Sequence, residues 1–186
     1  MQERVAIYID GSNFYFKLKS LDSNLANLLK FDFNGLCKYL SKDRKIISKR
    51  YYVGVVREKL GDAKSQQLRK DQQRLFWHLN SAFQSFCIKK GRLQQNDGIF
   101  HEKGVDVQLA VDLVVGAYED YYDTAILISS DTDLVPAIRK VREMGKKIEY
   151  IGFSHQPSFG MIKHADSVKL LGKDDLEPFE FKGTMI

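Results

Sequence analysis

Four short, almost unbroken apolar runs constrain this chain most: Val5-Ala6-Ile7-Tyr8-Ile9, Tyr51-Tyr52-Val53-Gly54-Val55-Val56, Ala125-Ile126-Leu127-Ile128 and Ile148-Glu149-Tyr150-Ile151. Runs this short with no polar alternation have no face to offer water. They read as strands buried on both sides, as in a parallel sheet. Phe86-Cys87-Ile88 and Val168-Lys169-Leu170-Leu171 are weaker strands of the same kind. Helical spacing fills the gaps. Leu68, Leu75, Phe76, Leu79 and Phe83 fall on one face, and Leu134, Ile138 and Val141 repeat the pattern, with Gly145 where a helix would end. Residues 105–117 are apolar on most sides, which predicts a central, largely buried helix. Strands alternating with helices predict an α/β fold around a parallel sheet.

At ~150 residues per domain, the 186 residues form one domain. Its expected extent is 1–171, with 172–186, which contains Pro178, as a surface tail. An apolar share of 44% and a charged share of 28% exclude both disorder and a fibrous repeat. No stretch reaches the ~18 apolar residues of a membrane helix, so no membrane partner is expected. The N-terminus has none of the features of a cleaved signal peptide. Cys37 and Cys87 are too few and too isolated for a disulfide scaffold or a zinc site, so the expected setting is reducing and cytoplasmic. The formal charge of +5 raises the local concentration of polyanions without proving a nucleic-acid partner.

The aspartates carry the chemical information. Asp10 directly follows the first strand, in Ile9-Asp10-Gly11-Ser12-Asn13, and Asp131 and Asp133 follow the third, in Ser129-Ser130-Asp131-Thr132-Asp133. Ligands of open parallel sheets bind beyond the carboxyl ends of the strands, so both groups belong to one edge. Asp106, after the Gly104 turn, can reach that edge as well. Each has a structural reading too: Asp131 as a helix cap, Asp10-Gly11-Ser12-Asn13 as a turn, Asp106 as a cap of its own helix. Taken together they crowd like charges, which shifts their pKa values or requires a divalent cation. Oxygen donors without histidine or thiolate favour Mg²⁺ or Mn²⁺, and such an ion serves phosphodiester chemistry. Asp112, six positions past Asp106, points elsewhere and reads as a salt-bridge or capping residue. No phosphate-binding Gly-x-x-x-x-Gly-Lys-Ser/Thr loop or Gly-x-Ser-x-Gly elbow occurs, and the four histidines show no metal-ligand spacing.

Tyr8-Ile9-Asp10-Gly11-Ser12-Asn13, Lys103-Gly104-Val105-Asp106-Val107 and Ser129-Ser130-Asp131-Thr132-Asp133-Leu134-Val135-Pro136, in that order, resemble the NYN domain. More narrowly they resemble its LabA-like group within the PIN-like nuclease superfamily. Ser158, Ala165-Asp166 and Leu170 fit the family's C-terminal pattern. The resemblance implies a PIN-like three-layer α/β/α sandwich with a central, mostly parallel sheet, and a Mg²⁺- or Mn²⁺-dependent ribonuclease leaving 5′-phosphate and 3′-hydroxyl ends. By position, Asp10, Asp106, Asp131 and Asp133 would be the metal-binding and catalytic set. Asn13 would hold a water or phosphate oxygen, with Ser12, Ser130 and Lys103 beside the substrate. Ser130 stands where many members have glycine.

RNA, expected to be single-stranded, has three basic clusters to follow: Lys42, Arg44, Lys45, Lys49 and Arg50; Lys64, Arg69, Lys70 and Arg74; and Lys89, Lys90, Arg92 and Lys103. The third is the preferred groove wall because Lys103 adjoins the site. Among Phe14, Tyr15 and Phe16, at least two are expected in the core, leaving one to stack a base. A homodimer would extend a basic groove across two subunits. Three other readings compete: a phosphatase of haloacid-dehalogenase type on Asp131-Thr132-Asp133, a receiver-like domain, and a non-catalytic RNA-binding or regulatory module.

Overall fold

The computed structural model describes residues 2–56, 61–96 and 99–181; the side chains of 92–96 and 99–103 lie outside that description. Among these residues, seven strands, β1 (Arg4–Asp10), β2 (Lys45–Gly54), β3 (Cys87–Asn96), β4 (Ile99–Lys103), β5 (Thr124–Ile128), β6 (Lys147–Phe153) and β7 (Ser167–Leu171), form one sheet in the order β4-β3-β2-β1-β5-β6-β7. Six of them run parallel, and β4 returns antiparallel to β3 as an edge hairpin. Among the described residues, seven helices cover the sheet: α1 (Gly11–Leu21), α2 (Phe33–Ser41), α3 (Ala63–Asn80), α4 (Val105–Tyr118), α5 (Val135–Glu143), α6 (Phe159–His164) and α7 (Lys173–Leu176).

The apolar run of β1 is unbroken because both of its faces are buried. Val5, Ile7 and Ile9 pack against Phe14 and Leu18 of α1 and Phe33, Leu36 and Cys37 of α2. Ala6 and Tyr8 point the other way, to Leu109 and Leu113 of α4, Ile138 and Val141 of α5 and Met161 of α6. The period-2 alternation of a strand therefore sorts one sequence into two cores, giving the expected three layers around a mostly parallel sheet. The chain winds from β1 out to β2 and β3, crosses back over the other face through α4, and continues from β5 to β6 and β7. The direction of winding reverses between β1 and β5, which makes their shared carboxyl end the binding crevice of such a sheet.

Two expectations are corrected. The helix at 105–117 does not lie in the centre of the molecule. α4 covers one face of the sheet, burying Val105, Leu109, Leu113 and Ala117, while Val107 (66%), Val111 (52%) and Val115 (42%) are exposed. A helix with sheet on only one side buries only one stripe, whatever the rest of its sequence. The described part of the segment after Gly172, through Phe181, does not simply run along the surface either. Leu176 is fully buried, the Asp32 N–H donates to the Phe179 carbonyl at 2.7 Å, and the Phe181 N–H donates to the Lys30 carbonyl at 2.8 Å. Among the described residues, no helix is long and apolar enough to cross a membrane. Cys37 and Cys87 are both free thiols.

Candidate metal centre at the carboxyl edge of the sheet

The register of the central pair builds the site. Ile9 of β1 lies opposite Ile128 of β5, so Asp10 and Ser129 leave the sheet side by side. Asp10 is 6% exposed and both its oxygens accept hydrogen bonds. Oδ1 takes the Asn13 N–H at 3.0 Å and so caps α1, and Oδ2 takes the Ser129 hydroxyl at 2.9 Å. Ser129 Oγ in turn accepts the Asp131 N–H at 3.2 Å. One hydroxyl thus ties the first carboxylate to the turn that carries the next two. Within that turn Asp131 Oδ1 accepts the Asp133 N–H at 2.9 Å, fixing a 3-10 turn over Thr132–Leu134 before α5 begins.

The capping reading of Asp131 therefore holds as structure, while Asp10-Gly11-Ser12-Asn13, expected as a turn, instead caps and opens α1, and capping is also what aims these carboxylates. Asp106 is not the cap of α4. That position is Gly104, whose φ of 82° suits glycine, and Asp106 sits in the first turn. There it meets the α5 side of the crevice: Asp106 and Asp133 stand at one end of an open groove of about 470 Å³ between α4 and α5, walled by Val107, Val111 and Leu134. Partial burial, with the charges of Asp131 and Asp133 facing it, holds the Asp106 carboxyl above its usual range. Among the described residues, no three histidine, cysteine, aspartate or glutamate side chains are drawn together tightly enough to hold a metal. The donor chemistry, four carboxylates with hydroxyl and amide neighbours, fits a hard divalent ion.

A stability prediction arises here. Asp106→Asn keeps the shape and removes one of the facing charges. The variant should melt about 1–3 °C higher than the wild type in EDTA, a modest gain because the residue keeps an exposed edge. It should also be stabilised less by added Mn²⁺, as read by calorimetry.

The remaining sequence candidates divide. Asn13 Oδ1 accepts the Ser130 N–H at 3.1 Å, which turns its amide NH₂ outward as a donor. Ser130 Oγ shares a hydrogen bond with the Tyr150 hydroxyl at 3.3 Å. Ser12 lies half-buried in the first turn of α1. The Lys103 side chain, with Arg92 of the same basic cluster, lies outside the described residues. Asp112 is structural: its Oδ2 accepts the Tyr52 hydroxyl at 2.7 Å and pairs with Arg50 at 3.1 Å and Lys89 at 3.6 Å. These pairs remove one member each from two of the basic clusters. Arg44 is likewise engaged by Glu149 at 2.8 Å, and Lys49 is held by Asn34 and the Gln84 carbonyl. Phe14 is buried and Tyr15 packs against the core, leaving Phe16 exposed. Sequence reasoning passed over Ser129 and Tyr150. Ser129 is the first polar residue after an all-apolar strand, a usable signal; Tyr150 lies inside a strand and gives none.

Comparison with known proteins bears on the whole chain. An uncharacterized protein of Methanocaldococcus jannaschii, MJ0482, is 37% identical over 81 residues, which is 42% of this chain and 34% of that protein. The matched stretch spans about a third of that relative's length. The crystal structure of a protein of unknown function from Vibrio parahaemolyticus, VPA0982, superposes with a TM-score of 0.64 at 22% identity, over 93% of this chain and 95% of that one. It shares the fold. T5 5′-exonuclease with divalent metal ions (zinc) bound superposes with a TM-score of 0.44 at 16% identity, over 87% of this chain and 60% of that chain. Residues 4–169 match the family described as the NYN domain, a span that includes Asp10, Asp106, Asp131 and Asp133, and the chain belongs to that family.

Proposed function

We propose that this chain is a ribonuclease of the LabA-like group in the PIN-like superfamily, hydrolysing single-stranded RNA with Mg²⁺ or Mn²⁺. The observation that carries this reading is the joining of Asp10 to Asp131 through the Ser129 hydroxyl at the reversal point of the sheet, with Asp106 and Asp133 lining the adjoining groove. A nuclease-type function is the coarser reading that family membership itself supports.

Asp10, Asp106, Asp131 and Asp133 would hold the cation. When bound, such an ion lowers the pKa of an attacking water and neutralises charge on a phosphoryl group. The chain's other groups position the substrate. The Asn13 amide, oriented by Ser130, offers its NH₂ to a phosphate oxygen, and the Ser130 hydroxyl lies next to it. Burial of Asp10 and Ser129 keeps water from weakening the bonds that aim the acidic turn.

The test is cleavage of an end-labelled single-stranded RNA with Mn²⁺, Mg²⁺ or EDTA, comparing the wild type with Asp131→Asn purified identically. Cutting is expected with either metal and not in EDTA, falling about 100-fold or more in the variant, with 5′-phosphate ends. Equal cutting by both proteins would mark a contaminant. Binding without cutting would favour the non-catalytic module, and release of phosphate from an aryl phosphate would favour the phosphatase reading.

A further inference from the structure

Two phenylalanine rings on the helices beside the acidic crevice are largely exposed. Phe159, the first residue of α6, is 79% exposed, and Phe16 of α1 is 64% exposed. α6 buries Met161 against the sheet, and Phe159, two residues earlier and about 200° round the helix, faces outward. Its backbone is nonetheless held on both sides. The Ser158 N–H donates to the Tyr150 hydroxyl at 3.3 Å, the hydroxyl that also meets Ser130. Gly160 sits against the acidic turn so closely that a Cβ there would fall 2.7 Å from Thr132 Cγ2. Thr132 lies between Asp131 and Asp133. The Phe159 ring is thus presented to solvent one residue from two anchors on the site.

Phe16 is one helical turn beyond Asn13 and close to its side of α1. Its ring rests edge-on against Tyr15, 5.4 Å between centroids. The same stretch of α1 is tied to the loop leading into α6: Lys17 Nζ donates to the Gln156 carbonyl at 3.1 Å, and Ser20 Oγ meets His155 Nε2 at 2.8 Å. α1 covers one face of the sheet and α6 the other, so the two rings are carried by opposite layers, each on a helix anchored to the residues of the acidic edge.

We propose that Phe159 and Phe16 are stacking platforms for unpaired nucleobases on either side of the phosphate held at the carboxylates. This rests on the ribonuclease reading above. Flat apolar rings without a polar group of their own stack on any base and read none of its edges. In a duplex the base faces are already covered, so the platforms select single strands by structure and not by sequence.

The test uses the full chain and a 12-nucleotide single-stranded RNA, with steady-state cleavage for the wild type, Phe159→Leu, Phe16→Leu and Phe159→Tyr. The same substitutions in an Asp131→Asn background are read by fluorescence anisotropy on the labelled strand. Each leucine variant is expected to raise KM and the dissociation constant about 10-fold, with kcat within twofold, and tyrosine at 159 should restore both. Cleavage of a blunt duplex should not respond to either ring. Because both rings are exposed, unchanged melting temperatures are expected to accompany these shifts. If the wild type cuts and both leucine variants match it within twofold, stacking is overturned while the nuclease reading stands. If the wild type binds single strands without cutting, the nuclease reading fails and the anisotropy comparison decides stacking alone. If it neither cuts nor binds, both fall together.

Discussion

Asp10→Asn is expected to lower metal-dependent cleavage by about 10³-fold while leaving the fold within about 1 kcal/mol of the wild type. The two effects separate because Asp10 has two duties that ask different things of one side chain. As the cap of α1 it needs only an acceptor for the Asn13 N–H, and the amide oxygen of asparagine supplies one. Facing Ser129 it now presents an NH₂ where an oxygen stood, and the hydroxyl, which already accepts from the Asp131 N–H, can turn to accept from it as well. The charge is lost, and several kcal/mol of electrostatic stabilisation of a bound cation is lost with it. Asp10→Ala removes the cap too, so it should fall in both activity and stability. Circular dichroism melts beside single-turnover cleavage would distinguish the pair. Equal stability loss in both variants would mean that the charge, and not the acceptor, holds the start of α1.

Much of this arrangement was open to inspection in the sequence because the signals were local. An unbroken apolar strand followed at once by aspartate puts a carboxylate at a sheet edge with no knowledge of the partner strand. That logic served Asp10 at the end of β1 and the pair after β5. It could not supply register, and register is what sets Ser129 opposite Asp10. α1 was hidden for a related reason. Asp10-Gly11-Ser12-Asn13 are all turn formers, and only the capping bond from the Asn13 N–H shows that they start a helix that buries Phe14 and Leu18.

The exposed face of α4 was misread because periodicity reports which residues prefer to be buried and not what is available to bury them. The charge runs were misread in the same direction: Arg44, Arg50 and Lys89 looked like a surface for phosphates, and each has an acidic partner distant in sequence. A count of basic residues overstates the polyanion surface wherever such pairs form.

Gly11→Ala should be the most damaging single-methyl change near the site. Gly11 opens α1 directly after Asp10, and a Cβ there would fall 2.5 Å from Tyr51 Cζ and 2.7 Å from its hydroxyl. The Tyr51 ring has nowhere to go: it is 1% exposed and lies edge-on to Phe33, 5.7 Å between centroids. Neither partner is the free end of a flexible chain, so the helix start must lift away from β2. Overpacking of this kind costs about 2–3 kcal/mol, which for a chain of this size lowers the melting temperature by roughly 5–10 °C. Lifting the start of α1 also moves the Asp10 cap and Asn13 together, so cleavage should fall about 10-fold or more even well below the melting temperature. Shortening the opposing ring gives the control. Tyr51→Leu alone should destabilise by leaving a cavity, but Gly11→Ala combined with Tyr51→Leu should be less damaging than the sum of the two. The coupling would be about 1–2 kcal/mol. Strict additivity in that double-mutant cycle would show that Tyr51 is not what excludes a side chain at position 11.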